Sequence, residues 1–148
     1  MTVNKIIETI SKTLYNEFGS KYYYYRENIK QGFKTPCFYI KVVEPYVEQG
    51  FNTDKKRVNK FVIQFINNEN CQNKKEIYNI YEKLIYILDF INIDGKLYKG
   101  EKVKSRIDND VLHFFINYNY HVKAVNIESY MKELKQKGGV KNVWNKIS

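Results

Sequence analysis

Asp94, Glu101 and Lys104 are the side chains that come nearest to a reaction centre, since two carboxylates and an ammonium can hold a divalent ion and activate water for phosphodiester cleavage. Asp54-Lys55-Lys56 and Glu133-Leu134-Lys135 share the acid-x-Lys pattern of such sites. Triples of this kind are inevitable in a lysine-rich chain, and the first reads as loop and the second as helix, where a nuclease site would want a strand. Asp108 and Asp110 have a simpler use as turn formers. His113 and His121 point to the same face of one strand, yet at about 3.4 Å per residue they stand roughly 27 Å apart and cannot share a metal. Cys37 and Cys71 lack CxxC spacing and a histidine nearby in sequence, which makes them small buried or half-buried residues and not ligands. Gly95 to Gly100 lies in a hairpin pattern without the Lys-Ser/Thr of a phosphate loop, and no serine has a GxSxG frame. The sequence therefore carries no catalytic, cofactor or metal signature, and a metal-dependent nuclease is only the enzymatic alternative.

Composition points to a binding or structural role. The net charge is +9, but of 25 basic residues only Arg26, Arg57 and Arg106 are arginine, whereas base readout leans on bidentate Arg. Asn, Ile and Tyr are abundant and Ala124 is the sole alanine, the bias of an AT-rich coding sequence, so codon usage accounts for part of the lysine. What remains is a positive surface able to face a polyanion without reading its sequence. A non-specific nucleic-acid binder would use Tyr22 to Tyr25 as a stacking platform. A strand, however, places only two of these on either face, which fits core or interface packing better.

A chain of 148 residues is long enough for one core, and no Pro/Gly/Ser-rich linker divides it. Met1 leads directly into a helical pattern without a signal-peptide h-region, and no apolar run approaches membrane-spanning length, so synthesis and retention in the cytosol are expected.

The elements follow from periodicity. Val3, Ile6, Ile7, Ile10, Leu14 and Phe18 recur at helical spacing between a Thr2 cap and a Gly19 stop. The aromatic run after Lys21 and the segment Cys37 to Glu44 read as strands, the second stopped by Pro45. A polar loop from Tyr46 to Asn59 precedes a strand from Lys60 to Asn67. A second helix buries Ile77, Tyr81, Leu84, Ile85 and Leu88, with Asn70 or Asn73 as its cap. Ile91 to Ile93 and Lys96 to Gly100 form a hairpin around Asp94-Gly95; Lys102 to Asp108 pairs with a long strand from Val111 to Val122. In that last strand Leu112, Phe114, Ile116, Tyr118 and Tyr120 form one apolar face. The predicted fold is α+β, a mainly antiparallel sheet with two helices packed on one face. Residues 1–125 make one domain and 126–148 a charged, partly helical or mobile extension.

Tyr39, Val43, Val62 and Ile66 lie on the sheet face opposite the helices, an apolar composition that calls for contact with another subunit. The Tyr46 to Asn59 loop is longer than a hairpin connection needs, which marks it as a working surface. Phe51 is its expected anchor, and Asp54, Lys55, Lys56 and Arg57 its charged part.

The order of elements and several segments together resemble the tail terminator proteins of phages and phage-derived tail particles, in the version found in prophages of low-GC Gram-positive bacteria. The segments are Ile6 to Ile10 with Leu14-Tyr15, Gly32 to Ile40, Phe61 to Phe65, Tyr81 to Leu84, Ile93 to Gly95 and Val111 to Tyr118. The resemblance implies a virion structural subunit that forms a ring, commonly a hexamer, on the last ring of the tail tube and ends tube polymerisation. It implies the tube protein as partner, with sheath or head-completion (collar) proteins of a contractile tail as further ones. DNA would only pass through the lumen; no cofactor, membrane or catalytic step is implied.

Overall fold

The computed structural model describes residues 1–26, 32–50, 54–68 and 74–123. Helix α1, Val3–Phe18, starts where expected: Thr2 is extended and its side chain accepts a hydrogen bond from the Lys5 N–H, meeting one of the orphan donors of the first turn. At the other end Gly19 takes φ 76°, and its N–H caps the Tyr15 carbonyl. Ile6, Ile7, Ile10 and Leu14 are the buried stripe. Strand β1 (Tyr23–Arg26) follows, then β2 (Cys37–Gln49), β3 (Asp54–Ile66), helix α2 (Lys74–Ile87), and β4 to β7 (Phe90–Ile93, Lys96–Asp108, Val111–Tyr118, Tyr120–Lys123). The sheet order is β1-β2-β3-β6-β5-β4, with β7 added beside β3. Every pairing is antiparallel except β1 with β2, which run parallel with Tyr23 opposite Cys37.

One core lies between the helices and one sheet face, as the alternation in the strands requires. Phe38, Ile40, Phe61, Ile63, Phe65, Leu112, Phe114, Ile116 and Tyr118 meet Ile6, Ile10, Leu14, Ile77, Leu84 and Leu88 in one cluster. Phe38 is its aromatic centre, with ring centroids of Phe18, Phe65, Tyr22 and Tyr24 at 4.9, 5.1, 5.4 and 5.6 Å. Such pairs contribute about 0.5–1.5 kcal/mol each beyond their burial.

Four expectations need correction. Pro45 does not stop β2: Glu44 turns to φ 48° and the register slips between Val43 and Tyr46, so Glu44 and Pro45 together oppose one residue of β3. This is a β-bulge, where a missing N–H costs no ladder bond, and pairing resumes at Tyr46–Val58. The predicted loop from Tyr46 to Asn59 is consequently a hairpin arm. On α2, Ile80 is 3% exposed and Ile85 38%. At about 100° per residue Ile85 falls roughly 100° from the centre of the buried stripe and Ile80 only about 40°. Lys96 to Gly100 and Lys102 to Asp108 are one strand, bent by a second bulge at which Lys102 takes φ 52°. The long last strand is broken at Asn119, although Lys60–Asn117 and Arg57–Tyr120 keep one register on β3. Asn70, Asn73 and the extension beyond residue 125 lie outside the described residues.

Gly100 is the tightest point of the sheet. Its N–H donates to the Asp89 carbonyl at 2.7 Å, and a Cβ there would run into Ile116 Cδ1 and stand 2.9 Å from the Leu88 oxygen. Gly100→Ala is expected to destabilise the subunit by about 1–3 kcal/mol, as overpacking does, read as a lower urea midpoint at unchanged slope. An unchanged midpoint would show that β5 yields there freely.

Candidate assembly surface

The arm is built from the outer ends of three strands. Tyr46, Val47, Glu48 and Gln49 of β2 pair with Val58, Arg57, Lys56 and Lys55 of β3, which in turn carries Tyr120–Lys123 of β7 on its other edge. Gly50 begins the tip, its N–H donating to the Asp54 carbonyl at 2.7 Å. The expected anchor, Phe51, lies outside the described residues. Asp54 and Lys55 are exposed, Lys56 and Arg57 half-buried. Alternation divides the arm: Lys55 and Arg57 share the helix side of the sheet with Val47, Gln49, Tyr120 and Val122, and Lys56 shares the other side with Glu48 and His121. Val47 is 53% exposed and Val122 41%, so the helix side of the arm offers open apolar surface beside two cations. Sequence reasoning missed both valines. Neither Tyr46 to Gln49 nor Lys55 to Val58 alternates apolar with polar residues, so no period-of-two signal marked the arm.

A polar joint ties the arm to the body. Asn59 is wholly buried; its Nδ2 donates to the Tyr118 carbonyl at 3.2 Å and its N–H to Asn119 Oδ1 at 3.3 Å. Asn119 Nδ2 donates onward to Glu101 at 2.8 Å. The Arg57 guanidinium lies 5.4 Å from the centroid of the Tyr120 ring, holding the first arm residues over the last buried tyrosine.

The sheet face away from the helices carries Tyr39 and Val62, but neither is open apolar surface in the single chain. Val62, 2% exposed, sits in register between Lys41 and Phe115, and Tyr39 is half-buried beside Gln64. Cations cover the remaining aromatic surface: Lys60 Nζ lies 5.0 Å and the Arg106 guanidinium 5.8 Å from the Phe115 centroid. His113, 3.1 Å from the Gln64 amide, is held below the ordinary histidine range by burial first and then by Arg106 and Lys41, with Asp108 opposing.

The side chains considered for catalysis are engaged separately. Asp94 pairs with Lys5 at 2.7 Å, which holds its carboxyl pKa below the ordinary value, while Glu101 accepts from Asn119. Asp54-Lys55-Lys56 does stand on a strand, contrary to expectation, yet among the described residues no three His, Cys, Asp or Glu side chains gather to hold a metal ion. A groove of about 600 Å³ between α1 and β4 holds charges that are already paired, Lys5 with Asp94 and Lys12 with Glu8. The tyrosine run is divided between core and surface, with Tyr23 45% exposed. Tyr22 and Tyr24 pack on Phe38; Tyr22 also donates to Glu76 at 3.1 Å, and Tyr25 accepts the Lys34 N–H at 2.8 Å. Cys37 is fully buried, which pushes its thiol up to about 11; Cys71 lies outside the described residues.

Fold and surface define a two-layer α+β subunit whose distinctive parts are an apolar-and-basic arm and a cation-covered sheet face. The chain belongs to the phage tail terminator protein family, whose model matches residues 5–130. It is thus a structural protein of the phage tail, which makes it part of a tail particle and a partner of other tail proteins. No curated protein matches the sequence. One solved structure aligns over 85% of this chain and 99% of its own at 11% identity with a TM-score of 0.47.

Proposed function

We propose that this protein caps the tail tube, forming a closed ring on its last layer that ends polymerisation and offers a joining surface to the next component, such as a sheath, collar or head-completion protein. The arm carries this reading. Three strands leave the core with Val47 and Val122 exposed on one side, surface that needs a partner. An arm of one subunit seated on a different surface of the next is a head-to-tail contact, and identical subunits joined this way either close or grow without limit. Closure, commonly at six, would supply termination itself. Asp54, Lys55, Lys56, Arg57 and the tip with Phe51 then form the subunit contact, while the face bearing Tyr39 and Val62 turns to the lumen. The work is done by shape and contact and asks nothing of a catalytic group. Assembly would take place in the host cytoplasm.

Light scattering on the purified chain, alone and with tube protein, tests this. A single closed oligomer, or a discrete complex formed only with the tube, is the expected result. A monomer at high concentration that also ignores the tube would overturn it.

A further inference from the structure

We propose that the sheet face away from the helices, centred on Phe115 and lined by Lys41, Lys60, Lys104 and Arg106, is a contact surface for the phosphate backbone of duplex DNA. Lys41, Val62, Phe115 and Lys104 occupy one row across β2, β3, β6 and β5; Lys60 sits in the next row on one side and Arg106 on the other. At about 4.8 Å between strands and about 7 Å for two residues along one, the four cations fall within a patch about 14 Å across the strands and about 14 Å along them. Their convergence has independent support: Lys60 and Arg106 reach the same ring, and Arg106 and Lys41 both bear on His113. The carboxylates beside the patch stand along β5, and Glu48 and Asp54 lie on the same side farther out on the arm. Asp108 pairs with Arg106 at 3.0 Å, and Glu101 accepts from Asn119. Among the described residues no carboxylate pairs with Lys41, Lys60 or Lys104.

The composition favours DNA over an acidic protein. A protein interface keeps charge, lysine above all, out of its centre and buries aromatic anchors there. Here the central residues leave little apolar surface to bury, since Val62 is 2% exposed and Phe115 lies beneath two of the cations that surround it. With one arginine, itself engaged by Asp108, the patch lacks the means to read bases. Phosphate contact without sequence preference is what remains.

The inference deepens the ring reading by giving the lumen face a ligand, and its test does not depend on the ring. Fluorescence anisotropy of a labelled duplex, titrated with the full chain over a range of salt, is compared for three proteins. These are the parent, the variant Lys41→Gln/Lys60→Gln/Lys104→Gln, and a control, Lys21→Gln/Lys74→Gln/Lys96→Gln, with the same net charge as the first variant. Thermal melts confirm that all three fold. The parent should bind with steep salt dependence. The first variant should lose about tenfold or more in affinity, with a logarithmic salt slope shallower by about 2 to 3, while the control stays near the parent. Equal losses in both variants would overturn the proposal, as would a parent that ignores DNA, including one whose patch instead governs binding to an acidic tail protein. The oligomeric mass of the same samples separates the two readings. A ring that does not bind DNA defeats only this inference; a DNA-binding monomer that also ignores the tube defeats only the ring.

Discussion

Replacing residues 48–56 by Asn-Gly should leave a folded, soluble subunit that no longer completes tails. The shortened hairpin closes at Val47–Arg57, a pair already present, with a two-residue turn suited to antiparallel strands. The deleted part of β2 is wholly exposed and contributes nothing to the core cluster, so circular dichroism and the thermal melt should stay close to the parent. Two arm pairings of β3 with β2 and three with β7 disappear, together with the tip. Electron microscopy of particles made with this variant is expected to show tails of uncontrolled length or none, the effect of removing the contact that each subunit of the proposed ring would make. Tails of normal length from a folded variant would remove the arm from the working surface.

Leu112→Asp is the second large effect, and it acts through the core. Leu112 is 1% exposed, in register between Phe65 and Ile107, so a carboxylate there has no partner and no water. Unpaired buried charge costs several kcal/mol at least, against a total stability for a domain of about 5–15 kcal/mol. The variant is expected to accumulate as insoluble or protease-sensitive chain. Asp94→Asn, Glu101→Ala, Asp108→Ala and His113→Ala, made singly, should leave tail assembly near normal. The Asp94–Lys5 pair is solvent-exposed and worth little, and a structural subunit distributes its function over many contacts. Loss of function in Asp94→Asn with fold and oligomer intact would instead bring the nuclease alternative forward, since an enzyme fails by orders of magnitude when a metal ligand goes.

What was legible in the sequence is what local physics decides. Thr2 and Gly19 bound α1 because capping is settled by the residues themselves, and the inward sides of β2, β3 and β6 followed from a period of two that one buried face enforces. The Asp108-Asn109-Asp110 turn was legible for the same reason, with Asn109 and Asp110 both at positive φ. The arm was not. Pro45 and a run of charged residues carry the local marks of a loop, and the partners that hold them in a ladder, the end of β3 and then β7, are distant in sequence. Ile85 and Ile80 were exchanged because a stripe of apolar residues wider than one face leaves its centre undecided until the sheet beneath chooses. For the candidate surface, the stretch expected to be a loop is built as two paired strands. The cations around Phe115 come from three strands and were invisible to any reading along the chain.

The bulge at Glu44 and Pro45 also bears on how such a subunit stays dispersed before it assembles. β1 covers only Cys37–Ile40, so beyond Ile40 the flank of β2 meets no described strand. A strand flank that runs on outside a ladder is a template on which stray chains could stack in cross-β fashion, the beginning of a fibril. Pro45 stands midway along it with no N–H to donate, and the kink at Glu44 throws the two halves out of line. An incoming strand therefore finds no continuous run to pair with. The same irregularity that hid the arm from a reading of the sequence interrupts the run of backbone groups that indiscriminate strand addition would need.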